Sequence, residues 1–190
     1  MKKIILASGS PRRRELLTQI GISFEVVKAE GEEKITTDDP EEAVKELAMQ
    51  KAQEVAGRVD ADVVIGADTV VAVDGEIMGK PKDPEDAVRM IQGRDHEVLT
   101  GVAVILKKGE VETTINFAET TRVHVFPMTE EEIQAYVASK EPMDKAGAYG
   151  IQGLFAAYVS GIEGDYNNVV GLPVGRLYQE VLAAGIDLRK

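Results

Sequence analysis

Neither cysteine nor tryptophan occurs in the 190 residues, and histidine occurs only twice. Without cysteine there is no disulfide framework, no thiolate metal site and no cysteine nucleophile. Without tryptophan, and with aromatics at 5%, few platforms remain on which nucleic-acid bases can stack. Basic residues are outnumbered by acidic ones, 22 against 33, giving a net charge of −11. A broad duplex-binding face needs the opposite balance, so no nucleic-acid partner is expected. Long apolar runs are missing too. Met1-Lys2-Lys3 is followed by Ile4-Ile5-Leu6-Ala7, which Ser8-Gly9-Ser10-Pro11 interrupts. That run is too short for a signal peptide or a membrane span, so the expected location is the cytoplasm. The chain also lacks a G-x-x-x-x-G-K-[ST] loop, an H-E-x-x-H helix and a G-x-S-x-G elbow.

What is present suits one domain with an ordinary core, since apolar residues make up 44%. Lys3 to Ala7 reads as a short buried strand. Ser10 then stands as an N-cap before Pro11, and Leu16, Leu17 and Ile20 form a helical stripe ended by Gly21. Phe24 to Val27 is a second short strand. Asp39-Pro40-Glu41-Glu42 opens a helix to about Ala56, followed by Gly57. Val63-Val64-Ile65 is a buried-strand run. Val70 to Val73 and Glu76 to Met78 flank the hairpin signal Asp74-Gly75. Asp83-Pro84-Glu85-Asp86 caps a third helix that stops at Gly93. Glu97 to Leu106, Val111 to Phe117 and Thr120 to Phe126 predict a three-stranded meander, with a turn around Lys108-Gly109. Thr129 and Glu132 form a capping box for a helix to about Ser139. Residues 142–153 read as a glycine-rich loop, Phe155 to Val159 as a strand, and Pro173 to Ala184 as the last helix. The fold class is α/β with a mixed sheet.

Charges sit in unexpected places. Arg12, Arg13 and Arg14 occupy the first turn after Ser10, where the helix dipole disfavours cations by a few tenths of a kcal/mol each, up to about 1. A bound anion resolves that conflict, because free backbone N–H groups, the Ser8 and Ser10 hydroxyls and the guanidinium forks all face it. A solvated patch paired with Glu15 is the plainer alternative. Lys51 lies four after Leu47 and seven after Val44, on the apolar stripe of its helix. It either snorkels to water or brings its ammonium to an anion-binding cleft. Asp68 stands between two apolar strand segments in Ile65-Gly66-Ala67-Asp68-Thr69-Val70. It is a metal ligand or general base there, or an ordinary strand-end aspartate with Gly66 making a bend. Glu32 and Glu33 add carboxylates in a nearby loop. With His96 and His124 read as structural, oxygen ligands favour Mg²⁺ or Mn²⁺. Lys80 precedes Pro81, which biases it to an extended backbone. It is a phosphate ligand or a turn lysine.

Taken together these parts resemble the Maf family. Ala7-Ser8-Gly9-Ser10-Pro11-Arg12-Arg13-Arg14-Glu15-Leu16-Leu17 resembles its opening motif. Gly66-Ala67-Asp68-Thr69 and Gly79-Lys80-Pro81 resemble the second and third, and Asp144 to Gly153 the fourth. Gly164-Asp165-Tyr166 with Gly171-Leu172-Pro173 matches the end. The resemblance implies a two-lobed, twisted mixed sheet flanked by helices, similar to ITP pyrophosphatases. It also implies a single domain over 1–190 with a substrate cleft between the lobes. The implied activity is hydrolysis of a nucleoside triphosphate to the monophosphate and pyrophosphate, with a divalent metal, often in a homodimer. Carried onto this sequence, the resemblance makes Asp68 the catalytic acidic residue and Glu32 the acidic partner for the metal. Ser8, Arg12, Arg13, Lys51 and Lys80 then line the phosphate cleft. The Gly-Ile-Gln-Gly form of the fourth motif, with Arg12 and Thr69, is similar to the subgroup that prefers dTTP and UTP, with Gln152 reading the pyrimidine.

On this reading the cations hold the triphosphate and offset charge on the leaving pyrophosphate. Water attacks the α-phosphorus. A free aspartate titrates near pH ~3.9, so metal assistance is favoured over Asp68 acting alone. Two alternatives stay open at this point: a nucleotide-binding regulator of septum formation without turnover, and a purine pyrophosphatase of the ITP type.

Overall fold

The computed structural model describes residues 2–91 and 93–190. In chain order the elements are β1 (Ile4–Leu6), α1 (Pro11–Gln19), β2 (Glu25–Val26), α2 (Pro40–Ala56), β3 (Val63–Val73), β4 (Glu76–Met78) and α3 (Pro84–Met90). There follow β5 (His96–Lys108), β6 (Val111–Val125), α4 (Glu130–Ala138), β7 (Val159–Glu163), α5 (Tyr166–Val170) and α6 (Val174–Ala183). Short 3-10 turns fill Glu141–Asp144, Ala146–Ala148 and Leu154–Tyr158. The sheet has seven strands in the order β2-β1-β3-β5-β6-β7, with β4 also on β3. β1 runs parallel to β2 and β3, and the other pairs are antiparallel. The expected mixed α/β sheet flanked by helices is therefore what forms.

Local chemistry explains most boundaries. Asp39 accepts from the Glu42 amide at 2.9 Å and Asp83 from the Asp86 amide at 2.8 Å, so both helices start where their caps and prolines stand. Thr129 and Glu132 complete the capping box. Asp74 and Gly75 have φ of 52° and 81° and close the β3–β4 hairpin. At α1, however, Ser10 occupies the cap position without a side-chain cap bond.

Three sequence expectations are corrected. β3 is one unbroken strand whose every residue from Val63 to Ala72 has a partner on β5, so Gly66 makes no bend. β6 is likewise continuous through Ala118-Glu119, because those residues keep their partners on β5. The predicted meander is thus a two-stranded ribbon. The strand expected at Phe155 to Val159 is a 3-10 turn to Tyr158, and strand β7 begins only at Val159.

Alternation along β3 sorts the core into layers. Ile65 and Ala67 pack with Leu17, Leu172 and Leu177 under α1 and α6. Further along the same face, Val71 and Val73 pack with Tyr136, Tyr149 and Phe155 under α3, α4 and the 3-10 turns. Thr69 stands between the two clusters. The opposite face, with Val64, Val70 and Ala72, is covered by α2 through Val44, Ala48 and Ala52. That helix sits close to the sheet because two glycines lie beneath it. A Cβ on Gly66 would fall 2.3 Å from the Ala48 carbonyl, and one on Gly101 2.0 Å from that of Val44.

Gly101→Ala should therefore destabilise the fold by roughly 3 kcal/mol, the upper end for overpacking a core. Gly161→Ala, whose added carbon meets nothing within 4 Å, should stay within about 0.5–1 kcal/mol. Urea unfolding of the two variants measures the contrast, and similar losses in both would refute the packing account.

Candidate active site

β1 stops beside Ile65, whose carbonyl accepts from the Ala7 amide at 2.8 Å, and β4 pairs with β3 only from Val71 onward. Between them the edge of β3 from Ala67 to Val70 has no strand neighbour. A cleft of about 550 Å³ opens there, within the range of small-molecule sites. Its walls come from the start of α1, from α2, from the Lys80 segment, from residues 144–153 and from the Gly171 turn.

Arg13 fills the open edge. Its Nε donates to the Gly171 carbonyl at 2.8 Å. One terminal nitrogen donates to Ser8 Oγ and the Ala67 carbonyl, both at 3.0 Å, and the other to Thr69 Oγ1 at 3.0 Å. Thr69 Oγ1 lies 2.9 Å from Thr100 Oγ1, which donates to the Asn168 carbonyl at 3.2 Å. A polar seam thus runs between the two apolar clusters. Burial lowers the pKa of Arg13 below its ordinary value, with Asp68 opposing the shift, but a guanidinium stays charged regardless. Ser8 is buried beneath this network and does not line the cleft.

Arg12 and Lys80 behave differently. Both line the cleft, and among the described residues neither has a hydrogen-bond or ion-pair partner on the protein. Of the three arginines expected to face an anion, Arg12 is the one left free to do so from the cleft wall. Gln152 also lines the cleft with its side-chain amide unpartnered among the described residues. The segment carrying Lys80 is tied to the fourth motif by a bond from the Gly147 amide to the Gly79 carbonyl at 3.0 Å.

Lys51 does not snorkel to open water. Its ammonium lies 2.5 Å from Asp68 Oδ1 and 3.0 Å from Glu33 Oε1. The lysine and Asp68 side chains are only 17% and 15% exposed, so losing either partner strands a charge. Glu33 lines the cleft, whereas Glu32 is exposed on the loop outside it. That loop is held by a polar stripe on α2. Glu46 accepts from the Thr36 amide at 2.9 Å, Gln50 from the Lys34 amide at 3.0 Å, and Glu54 from the Gly31 amide at 2.9 Å. The three residues sit four apart and stack along one helix face. The Thr36 amide holds the Glu46 carboxyl below the usual range, and the Glu30 amide, with that of Gly31 second, does the same for Glu54.

Tyr149 closes the floor. Its hydroxyl lies 2.6 Å from His96 Nε2, and His96 Nδ1 lies 3.2 Å from the Arg94 carbonyl. Those partners assign a neutral ring that donates from Nδ1 and accepts at Nε2. Both histidines are structural in position, since His124 bridges Asp95 and Glu163 at 2.6 and 2.7 Å on the surface.

The profile of the Maf-like protein family matches residues 3–184. The chain belongs to this family. A relative from Agathobacter rectalis, named dTTP/UTP pyrophosphatase, is 53% identical over 99% of this chain and 100% of its own length. Relatives with the same name from Lachnoclostridium phytofermentans and Bacillus cereus are 52% and 50% identical, over 100% and 99% of this chain and 99% and 93% of theirs. A solved structure, protein VC0702 from Vibrio cholerae, is similar only at a TM-score of 0.33 and 14% identity over 74% of this chain and 69% of that one, too weak a likeness to bear on the Maf-like fold. No helix among the described residues is long and apolar enough to cross a membrane.

Two outcomes follow. Arg13→Ala should lower unfolding stability by on the order of 3 kcal/mol, since it strands Ala67, Thr69 and Gly171 acceptors. Arg12→Ala should stay within about 0.5 kcal/mol yet weaken nucleotide binding; equal stability losses would reject this division. Burial lowers the pKa of His96, against a weaker raising effect from the Arg94 carbonyl. The unfolded chain therefore takes up the proton first, and stability should fall as pH drops through about 6.5 towards the folded value. His124 has the opposite sign, raised chiefly by its hydrogen bond to Asp95, so its contribution is complete at low pH. Comparing urea midpoints from pH 8 to 5 in wild type and His96→Gln isolates the His96 slope, and identical slopes would contradict the assignment.

Proposed function

We propose that the chain is a nucleoside triphosphate pyrophosphatase acting on dTTP and UTP, as its relatives' names describe for them. The observation that carries this reading is the pairing of two kinds of cation in one cleft. Arg12 and Lys80 have no hydrogen-bond or ion-pair partner among the described residues, Arg12 feeling Asp144 only at longer range, while Lys51 is bound to Asp68. The free pair suits the β- and γ-phosphates, and the paired lysine keeps a carboxylate in place beside them. Gln152, with a free donor and acceptor at the cleft wall, suits a pyrimidine edge. The reading takes the cleft to lie between two lobes of one domain spanning 1–190. It also takes the enzyme to be cytoplasmic, and to be a homodimer as the family resemblance implies.

The donor set fits a divalent cation of the Mg²⁺ or Mn²⁺ type. Two carboxylates, Asp68 and Glu33, converge within 3.0 Å of one ammonium nitrogen, and Asp68 Oδ2 has no hydrogen-bond partner among the described residues. Such ions are held by one or two carboxylates together with substrate phosphates. Asp68 and Glu33 are therefore the residues that would hold it, Glu33 in place of Glu32. When bound, the ion adds positive charge against the phosphate oxygens and activates water. The chain's own residues do the rest. Arg12 and Lys80 hold the polyphosphate, and Asp68 accepts a proton from the attacking water. The new bond forms from that water oxygen to the α-phosphorus. The bond from the α-phosphorus to the bridging oxygen breaks, and pyrophosphate leaves with the electron pair.

Pyrophosphate release from a panel of nucleoside triphosphates with Mg²⁺ or Mn²⁺ tests this. Release from dTTP and UTP is expected, with Asp68→Asn lowering kcat by about 10²-fold or more and KM changing little. Near-full turnover in Asp68→Asn would remove Asp68 from the chemistry. Release only from purine triphosphates would overturn the base assignment.

A further inference from the structure

In the loop that carries Gln152 the one apolar anchor is Ile151, half-buried against the two core clusters. Gln152, Gly153 and Leu154 are exposed, with Leu154 at 62%, and the buried chain resumes only at Phe155. A turn closed by the Gly153 amide on the Gly150 carbonyl, at 3.2 Å, puts Ile151 and Gln152 at its corner. Polar contacts from outside hold both ends. The Tyr136 hydroxyl accepts from the Gly150 amide at 3.3 Å and donates to Glu141 Oε1 at 2.9 Å. The other oxygen, Oε2, accepts from the Leu154 amide at 3.0 Å. The Glu141 carboxylate also fills the space beside Gly153, where a Cβ would lie 2.2 Å from Oε1. Tyr136 itself is rigid, 4% exposed and packed on Phe155 with ring centroids 5.3 Å apart. Burial, with the Glu141 hydrogen bond second, pushes its pKa well up and keeps the hydroxyl a donor.

We infer that Tyr136 and Glu141 are positioning residues for base selection, a two-point clip that fixes the Gly150–Leu154 turn and so the distance from which Gln152 meets the nucleobase. The inference rests on the proposed nucleotide activity. Neither residue lines the cleft, so their effect passes through the turn. The clip spans two segments of different origin, Tyr136 on α4 and Glu141 on the following 3-10 turn. It therefore couples the recognition turn to the Tyr136–Phe155 packing.

The test uses Glu141→Ala, Tyr136→Phe and Leu154→Pro in the full chain. The proline deletes only the amide that Glu141 accepts. It suits the first position of a 3-10 turn, and Gly153 before it is already extended at φ −102°. Its exposed side chain makes it the variant least prone to misfold. The expected result is a KM for dTTP raised about tenfold, the factor set by about 1.4 kcal/mol, with kcat within about threefold. The preference for dTTP over dATP should fall by a similar factor. Glu141→Gln, which keeps one acceptor, should recover part of the loss. Unchanged preference in Leu154→Pro and Glu141→Ala, or a fall in kcat alone, would overturn the inference. Binding of the α,β-methylene analogues of dTTP and dATP, read by calorimetry, separates the two proposals. A wild type that binds selectively without releasing pyrophosphate sinks the reaction, and the clip is then judged on the same variants by binding. A wild type that binds both analogues equally sinks the clip.

Discussion

The close seat of α2 on the sheet is the constraint from which the site follows. Glycine at 66 on β3 and at 101 on β5 lets the helix backbone approach to where any side chain would collide with the Ala48 or Val44 carbonyl. At that separation a lysine on the helix reaches a strand aspartate directly, and Lys51 meets Asp68 at 2.5 Å. A wider gap would need a longer arm or a water, and Asp68 would lose its fixed counter-charge in a region that is largely apolar. Because half-buried charges are costly unless paired, the pair can hold one geometry that an exposed pair would not. The glycines thus set the position of the carboxylate to which the chemistry is assigned.

A second constraint is the break in the sheet edge. β1 ends before β3 does, and β4 pairs only from Val71, so several β3 residues lack a neighbour on the side away from β5. A bare strand edge invites a partner chain. Here the guanidinium of Arg13 takes the Ala67 carbonyl, and the Thr69–Thr100–Asn168 seam takes the polar side chains between the clusters. The run of three arginines is therefore not one patch. Arg13 completes the scaffold, and its neighbour Arg12 is left facing the cleft. Adjacent residues in one helical turn carry separate duties because the turn points one inward and one along the cavity.

Much of this is legible in the amino-acid sequence. Cap residues and prolines at Asp39, Asp83 and Thr129 mark helix starts by chemistry that acts within four residues. Asp74-Gly75 does the same for the hairpin. Lys51 was visible as a charge on an apolar stripe. What was not legible depends on partners distant in sequence. Gly66 reads as a bend because its helix neighbour is not written beside it, and Gly101 passes as an ordinary strand residue. Ala118-Glu119 reads as a break in β6, yet pairing to β5 carries the strand through. Glu33 rather than Glu32 faces Lys51 because Glu46, Gln50 and Glu54 fix the loop. Those three polar residues spaced by four look like a solvated helix face. The spacing was the one available signal, and it needed the loop's bare amides to give it meaning.

The charge of the cleft bears on the metal. Five cations, Arg12, Arg13, Lys51, Lys80 and Lys145, line it together with three carboxylates, Glu33, Asp68 and Asp144. The excess of positive charge is small, and the protein as a whole is at −11, so long-range attraction does not favour an anionic substrate. Binding must come from short-range contacts that salt screens least. A triphosphate carries more negative charge than this excess offsets, and Asp68 and Glu33 would repel it if Lys51 alone stood between them. A divalent cation held by Asp68 and Glu33 would change both terms, because it would reduce the net charge of the ligand and would give the two carboxylates a counter-charge. An acidic enzyme with carboxylates in its phosphate cleft is therefore coherent when its substrate is a metal–nucleotide complex, and strained when the substrate is the bare anion.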